Sequence, residues 1–309
     1  MCQFVAARRS MRYATRIVTA SSVRRDRPLL GIALMLLFGT LASHLDATSK
    51  WFSQSYPVPQ LIWIRYAALT LTLLAAAPFL GWRRVTGTSA PRMQLLRGTA
   101  LWLSATTFLA GLSLLPFATT KVIGSTAPLI VAAIAMPLLA ERVGWRRWIA
   151  ILFGFAGLVV VVRPDMGSIE WSMLFPLATA CSYALYQVLT RRIAGVDGAL
   201  PNLFYTALVG TVLASFAVPF VWVTPSPAHL AILFVHGLVV GFGHFVMIHA
   251  LANAPASLIA PFGYVSLIWA VILGYLVFGE QPDLGTLAGG TMIALAGIAL
   301  ARSAATGRK

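Results

Sequence analysis

Apolar stretches of about 20 residues, the length that carries an α-helix across roughly 30 Å of hydrocarbon, alternate along this chain with short polar breaks. Ten can be drawn, near 28–49, 58–81, 93–114, 117–140, 145–162, 170–192, 201–223, 229–251, 256–279 and 284–301. The pattern predicts an all-α integral membrane protein. The breaks are brief, as in Thr224-Pro225-Ser226-Pro227 and Asn253-Ala254-Pro255, and short connections make consecutive helices antiparallel neighbours.

The pattern also repeats. Leu112, Pro116, Gly124 and Glu141 return 139 residues later as Leu251, Pro255, Gly263 and Glu280, and Ala156-Gly157 returns one residue further displaced as Ala296-Gly297. Five crossings is an odd number, so two tandem copies are expected to sit in the membrane with opposite orientations. That architecture belongs to carriers that alternate a midplane site between the two sides. The expected division is a basic tail over 1–27, a first five-helix repeat over 28–163, a second over 164–302 and a short tail over 303–309. The halves join at the polar turn Arg163-Pro164-Asp165-Met166-Gly167.

Composition agrees with a membrane protein: 59% hydrophobic and 10% charged residues, with mean hydropathy +0.84, exceed what a water-soluble fold needs. The net charge of +15 would suggest nucleic acid in a soluble protein, but its placement argues against that. Cytoplasmic loops collect Lys and Arg, and with the amino terminus inside, 19 of the 23 basic residues fall on the cytoplasmic side, Arg83, Arg84, Arg92 and Arg97 among them. Lys50 and Arg163 fall outside; Arg65 and Lys121 lie within spans. Both termini are then cytoplasmic. Residues 1–27 share Arg and Ser richness with a mitochondrial presequence, but read better as a basic tail or as an over-long start with Met11 as the first residue. Cys2 and Cys181 are too few and too far apart for a framework disulfide or a metal site, and Cys181 reads as a small packing residue.

Pro116 and Pro255 read as helix starts. Pro128, Pro137, Pro176 and Pro261 lie deeper and are expected to mark kinks or cavity-lining backbone. Gly154, Gly157, Gly289, Gly290 and Gly297 give helices 5 and 10 small faces, read as scaffold or as the contact of a homodimer.

A charge inside a bilayer is costly, so each intramembrane ion is a functional candidate. Asp46, Arg65 and Lys121 all belong to the outer half. Their repeat equivalents are apolar, with Ala260 matching Lys121 and Ala207 near the match of Arg65, so the cavity is expected to be cationic toward the outside and neutral toward the cytoplasm. One cation is expected to pair with Asp46 while the other meets an anionic group on the solute; helix-locking pairs or snorkelling are the structural alternatives. Tyr183, Tyr186 and Gln187 share one face of helix 6. Trp269 and Tyr264 lie on helix 9, opposite Trp102, Thr106 and Thr107 of helix 3, where a planar solute could stack or where the rings simply pack. His236, His244 and His249 on helix 8 lack metal-site spacing; His244 reads as a proton-coupling candidate or a packing histidine. Glu141 and Glu280, each closing a helix, are read as caps of the next helix or partners of a nearby cation.

Two further segments carry a family resemblance. Leu138-Leu139-Ala140-Glu141-Arg142-Val143-Gly144-Trp145-Arg146-Arg147-Trp148, followed by Gly154 to Pro164, resembles the end of an EamA-type half in the drug/metabolite transporter superfamily. Val277-Phe278-Gly279-Glu280 with Ala294-Leu295-Ala296-Gly297 resembles the end of the second half. The resemblance covers about 28 to 302 and implies ten helices, inside termini and a central cavity lined mainly by helices 1, 3, 4, 6, 8 and 9, with 5 and 10 outside it; the expected location is the bacterial inner (plasma) membrane. Asp46 to Lys50, Tyr56 to Gln60 and Arg65-Tyr66 resemble a branch that includes S-adenosylmethionine and riboflavin uptake carriers.

The expected function is a secondary transporter of a small organic metabolite, anionic or zwitterionic, held in membrane lipid and needing no cofactor. No Walker-type loop is present to supply ATP hydrolysis. A lipid-acting membrane enzyme would need a converging nucleophile and base or paired carboxylates, which Asp165, Glu170, Asp197 and Asp283 in loops do not offer. A non-transporting receptor is the third class.

Overall fold

The computed structural model describes residues 27–127, 129–131, 145–162, 171–193, 196–253 and 260–306. Among them ten helices of eight or more residues follow in order: α1 Pro28–Phe52, α2 Val58–Leu80, α3 Pro91–Leu114, α4 Phe117–Gly124, α5 Trp145–Val162, α6 Leu174–Ile193, α7 Ala199–Ser215, α8 Pro227–Asn253, α9 Val265–Phe278 and α10 Leu284–Thr306. By length and composition α1, α2, α3, α8 and the segment Trp171–Thr190 can each cross a membrane; α5, α7 and the segments Phe262–Phe278 and Leu284–Leu300 are shorter apolar helices. Large apolar side chains such as Leu152, Phe153 and Val159 of α5, Phe220 and Leu276 stand exposed, as expected of surfaces facing lipid rather than water.

Proline sets several entries. Pro28 and Pro91 open α1 and α3, and Pro57 and Pro116 cap α2 and α4, positions where the missing N–H removes no helical bond. Pro176 is a correction to the kink expectation, because α6 starts at Leu174 after the short turn Trp171–Met173 and Pro176 therefore lies in its first turn. Pro261 does mark a break: it lies in a 3-10 turn, Ala260–Tyr264, that precedes α9. Helix α4 is interrupted similarly, at Gly124, by a turn over Ser125 and Thr126, beyond which residues 127 and 129–131 are helical again. Shifted by 139 residues, Ser125 falls on Tyr264, so the two breaks coincide, and irregular backbone inside a membrane protein is tolerated where it borders a cavity or other protein. Pro128, Pro137, Pro255, Glu141, the 163–167 turn and the tail before Arg27 lie outside the described residues.

The principal contacts run α5–α10, α3–α6, α1–α8, α2–α7, α3–α7, α2–α8, α1–α9, α4–α9 and α4–α6. Exchanging each helix for the one five places away turns α3–α6 into α8–α1, α3–α7 into α8–α2 and α1–α9 into α6–α4, and returns α5–α10, α2–α7 and α4–α9 to themselves. Helices α5 and α10 spend their small faces on each other: a Cβ at Gly157 would sit 2.8 Å from the Gly289 carbonyl oxygen and 2.8 Å from Met292 Cβ. Cys181 is exposed, contrary to the packing role expected of it.

Candidate functional site

Between α2, α3, α6, α7 and α8 lies a cavity of about 20 Å³ bordered by Arg65, Tyr66, Arg97, Tyr186, Asn202, Thr206 and His244, with Leu69, Leu101, Leu203 and Val240 completing its wall. A second cavity, about 10 Å³, is bordered by Ser49, Leu61, Ile62, Arg65, Leu109 and His236. Arg65 belongs to both and stands between them. The close approach of α8 to α2 there depends on Gly237, where a Cβ would lie 2.8 Å from the Arg65 carbonyl oxygen. Volumes of this size admit about one water, so neither hollow has room for an organic solute. Helices α2 and α7 contribute to the walls, beyond the helices that the family resemblance implied.

Six buried side-chain polar atoms among the described residues have no hydrogen-bond partner: Arg65 Nε, Tyr66 Oη, Trp102 Nε1, Thr106 Oγ1, His244 Nδ1 and Tyr264 Oη. Buried polar groups are nearly always satisfied, and each unsatisfied one needs a reason. Three of the six border the larger cavity. The Arg65 guanidinium carbon lies 5.1 Å from the Tyr66 ring centroid, within cation–π range.

At the end of the bundle carrying the 81–90 loop, Arg97 is 1% exposed. Its Nη2 donates to Gln94 Oε1 (3.1 Å), to Thr206 Oγ1 (2.8 Å) and to the Asn202 carbonyl, and its guanidinium lies 5.4 Å from the Tyr186 ring. Gln94 in turn donates to Asn202 Oδ1 (2.7 Å) and Asp197 Oδ2 (2.8 Å), and Asp197 also accepts from Thr88 Oγ1 (2.5 Å) and the Ser89 N–H (2.9 Å). Burial pushes the Asp197 carboxyl up, but the hydrogen bonds from Ser89, Thr88 and Gln94 and the nearby Arg97 charge outweigh it and hold the group below the ordinary carboxylate value. Arg97, counted among the cytoplasmic flanking charges, lies nearly two turns inside α3, which begins at Pro91, and its charge is offset through Gln94 by Asp197.

At the opposite end, carrying the 53–57 loop, Lys121 Nζ pairs with Asp46 Oδ2 at 2.7 Å. Lys50, expected at the rim, is 7% exposed, with its Nζ donating to Glu280 Oε1 (2.5 Å) and the Leu115 carbonyl (2.8 Å). Glu280 Oε2 also accepts the Phe117 N–H at 2.6 Å. It thus caps α4 rather than the helix that follows it. Gly279 makes this possible: its φ of 66°, a left-handed conformation that favours glycine, ends α9 and folds the Glu280 N–H back to the Gly274 carbonyl at 2.9 Å. Tyr56 to His229 (2.7 Å) and Gln60 to the Val223 backbone (2.6 and 2.9 Å) tie this end further.

The remaining sequence candidates divide. Tyr183 stacks on Tyr186, ring centroids 5.8 Å apart, and its hydroxyl meets Met247 Sδ at 3.4 Å; Gln187 is half-buried on the same helix. Trp102 packs on the cluster around Tyr56, Ile62 and Leu109. Trp269 donates to Thr40 Oγ1 at 3.1 Å and meets His44 edge-on, so its neighbour is α1 rather than α3. Tyr264 packs against Gly297 and the cluster of Val122, Leu158 and Ile293 and borders neither cavity. His249 bonds its own helix at Phe245, and no group of His, Cys, Asp or Glu among the described residues could hold a metal.

A model of the EamA-like transporter family matches residues 29–163 and again 170–303. The chain belongs to the EamA-like transporter family. This transporter is 30% identical over 264 residues to an S-adenosylmethionine uptake transporter of Rickettsia bellii, covering 85% of this chain and 90% of that protein. It is 26% identical to a riboflavin transporter of Rhizobium johnstonii, over 85% and 88% of the two chains, and 24% identical to a pseudopaline exporter of Pseudomonas aeruginosa, over 88% and 96%. A solved crystal structure shares its fold with TM-score 0.62 at 20% identity, covering 91% of this chain and 99% of that one. The protein is thus a multi-pass membrane transporter of small organic metabolites.

Proposed function

We propose that this transporter is a ten-crossing carrier of the bacterial inner membrane, built of two five-helix halves of opposite orientation with both termini in the cytoplasm, and that it works by alternating access. The observation that carries the reading is the set of buried, unpartnered polar atoms around Arg65 between the halves, closed at both ends by bonds that cross from one half to the other. Lys50 to Glu280 joins α1 to the end of α9, and Arg97 with Gln94 joins α3 to α7. Releasing one latch while the other holds exposes the site to one side at a time, which is how such carriers move solute without an open pore. The exchange-symmetric helix contacts and the matching breaks in α4 and α9 support two related halves. Asp46, Arg65, Trp102, Thr106, Lys121, Tyr183, Tyr186, Gln187 and His244 are the residues from which the binding surface is drawn once the bundle opens, joined by Arg97 and Tyr66.

Purified protein in proteoliposomes tests this. With S-adenosylmethionine, riboflavin and a broad metabolite panel as solutes, uptake down a gradient that saturates is expected; no saturable flux of any solute would overturn the reading.

A further inference from the structure

Resting on that transporter reading, we infer that Arg65 docks a carboxylate carried by the solute, so that the substrate class is a small organic molecule bearing one carboxylate. The charges of the described residues point there. Asp46 is committed to Lys121 and Glu280 to Lys50. Asp197 takes its bonds from Thr88, Ser89 and Gln94, and Asp283 accepts the Thr286 N–H at 2.6 Å. Arg97 is satisfied by Gln94, Asn202 and Thr206, and its charge is offset through Gln94 by Asp197. Arg65 is left with no described carboxylate within ion-pair distance and a buried Nε without a partner.

A guanidinium held half-buried inside the bundle and left without an anion among the described residues is unfavourable in a membrane protein, and a solute anion reduces that cost on binding. The uncompensated charge at this point is a single one, which a carboxylate matches and a phosphate dianion exceeds. The planar fork of arginine also fits a carboxylate with two parallel bonds. Tyr66 Oη and His244 Nδ1, both unpartnered beside the same cavity, are placed to serve the remaining oxygen lone pairs, and Leu69, Leu101, Leu203 and Val240 leave apolar wall for the rest of the solute. Because Arg65 borders the second cavity too, a carboxylate held there is reachable from either end.

Matched probes separate this inference from the general one. In proteoliposomes, S-adenosylmethionine and its decarboxylated form are compared, alongside riboflavin and riboflavin 5′-phosphate, with the same compounds tested for raising the melting temperature of the purified full-length protein. Uptake and stabilisation are expected with S-adenosylmethionine and not with its decarboxylated form, and Arg65→Gln is expected to lower that uptake by roughly a hundredfold, with Arg65→Lys between the two. Equal handling of the decarboxylated form, saturable uptake of carboxylate-free riboflavin, or a preference for the phosphate ester overturns the carboxylate assignment while transport itself stands. Absence of uptake for every probe and for a wider panel overturns both. The matched pair is read in the wild-type protein, so the test survives if Arg65→Gln fails to insert.

Discussion

Lys121 is 8% exposed, and its carboxylate partner among the described residues is Asp46 at 2.7 Å. Removing either charge strands the other, and a stranded buried charge costs about 3–5 kcal/mol. Asp46→Ala and Lys121→Met are each expected to destabilise the protein by that order, and the double variant to regain most of it, in denaturant or thermal unfolding in detergent. Equal losses that add in the double variant would mean that the pair is not coupled. The sequence showed Asp46 and Lys121 as intramembrane charges and expected one cation to take Asp46. It misplaced Arg97, although Pro91 as a helix start gave its depth of nearly two turns, because the abundance of arginine in alternate loops swept it into the count of flanking charges. Lys50 was less accessible to sequence reasoning: its burial depends on Glu280, 230 residues away, and no local pattern announces that pair.

Among elements, the α5–α10 contact is set by backbone proximity at Gly157 and Gly289. Gly289→Leu forces a side chain into the Gly157 carbonyl and Val161, and overpacking of this kind costs about 1–3 kcal/mol; a lower melting temperature with retained insertion is the expected result. The α2–α3 loop is held to the α6–α7 loop by Asp197. Its folded-state pKa is depressed, so its contribution is present above the ordinary carboxylate value of about 3.9 and is lost as pH falls through the folded value. Acidification from neutral pH to below that range is expected to lower the melting temperature of the wild type more than that of Asp197→Ala; identical pH profiles would remove Asp197 from the account. Hydrophobic periodicity located these helices well, because a lipid-facing helix must be apolar along its length. It drew helices 4 and 9 as unbroken, since an apolar run reads the same whether it is α-helical or interrupted by a turn, as at Ser125 and at Ala260–Tyr264.

For the whole molecule, the two latches predict opposite accessibility changes. In a background with Cys2 and Cys181 replaced by Ser, a cysteine at Leu61 beside the smaller cavity is expected to react roughly tenfold faster with a membrane-impermeant thiol reagent when Glu280→Gln weakens the first latch, since losing a charged hydrogen bond is worth about 1.5–3 kcal/mol. A cysteine at Leu203, beside the larger cavity, should instead respond to Gln94→Ala and not to Glu280→Gln. Both sites responding alike to both changes would mean a breathing bundle rather than two independent gates. Arg65 between the two cavities has a consequence for the cell's energy supply. Each hollow has room for about one water, and the residue shared by both carries a fixed positive charge, which repels protons as electrostatic barriers in water pores do. In the proposed carrier the closed bundle is therefore expected to insulate, leaving the proton gradient of an energised membrane intact until a solute arrives.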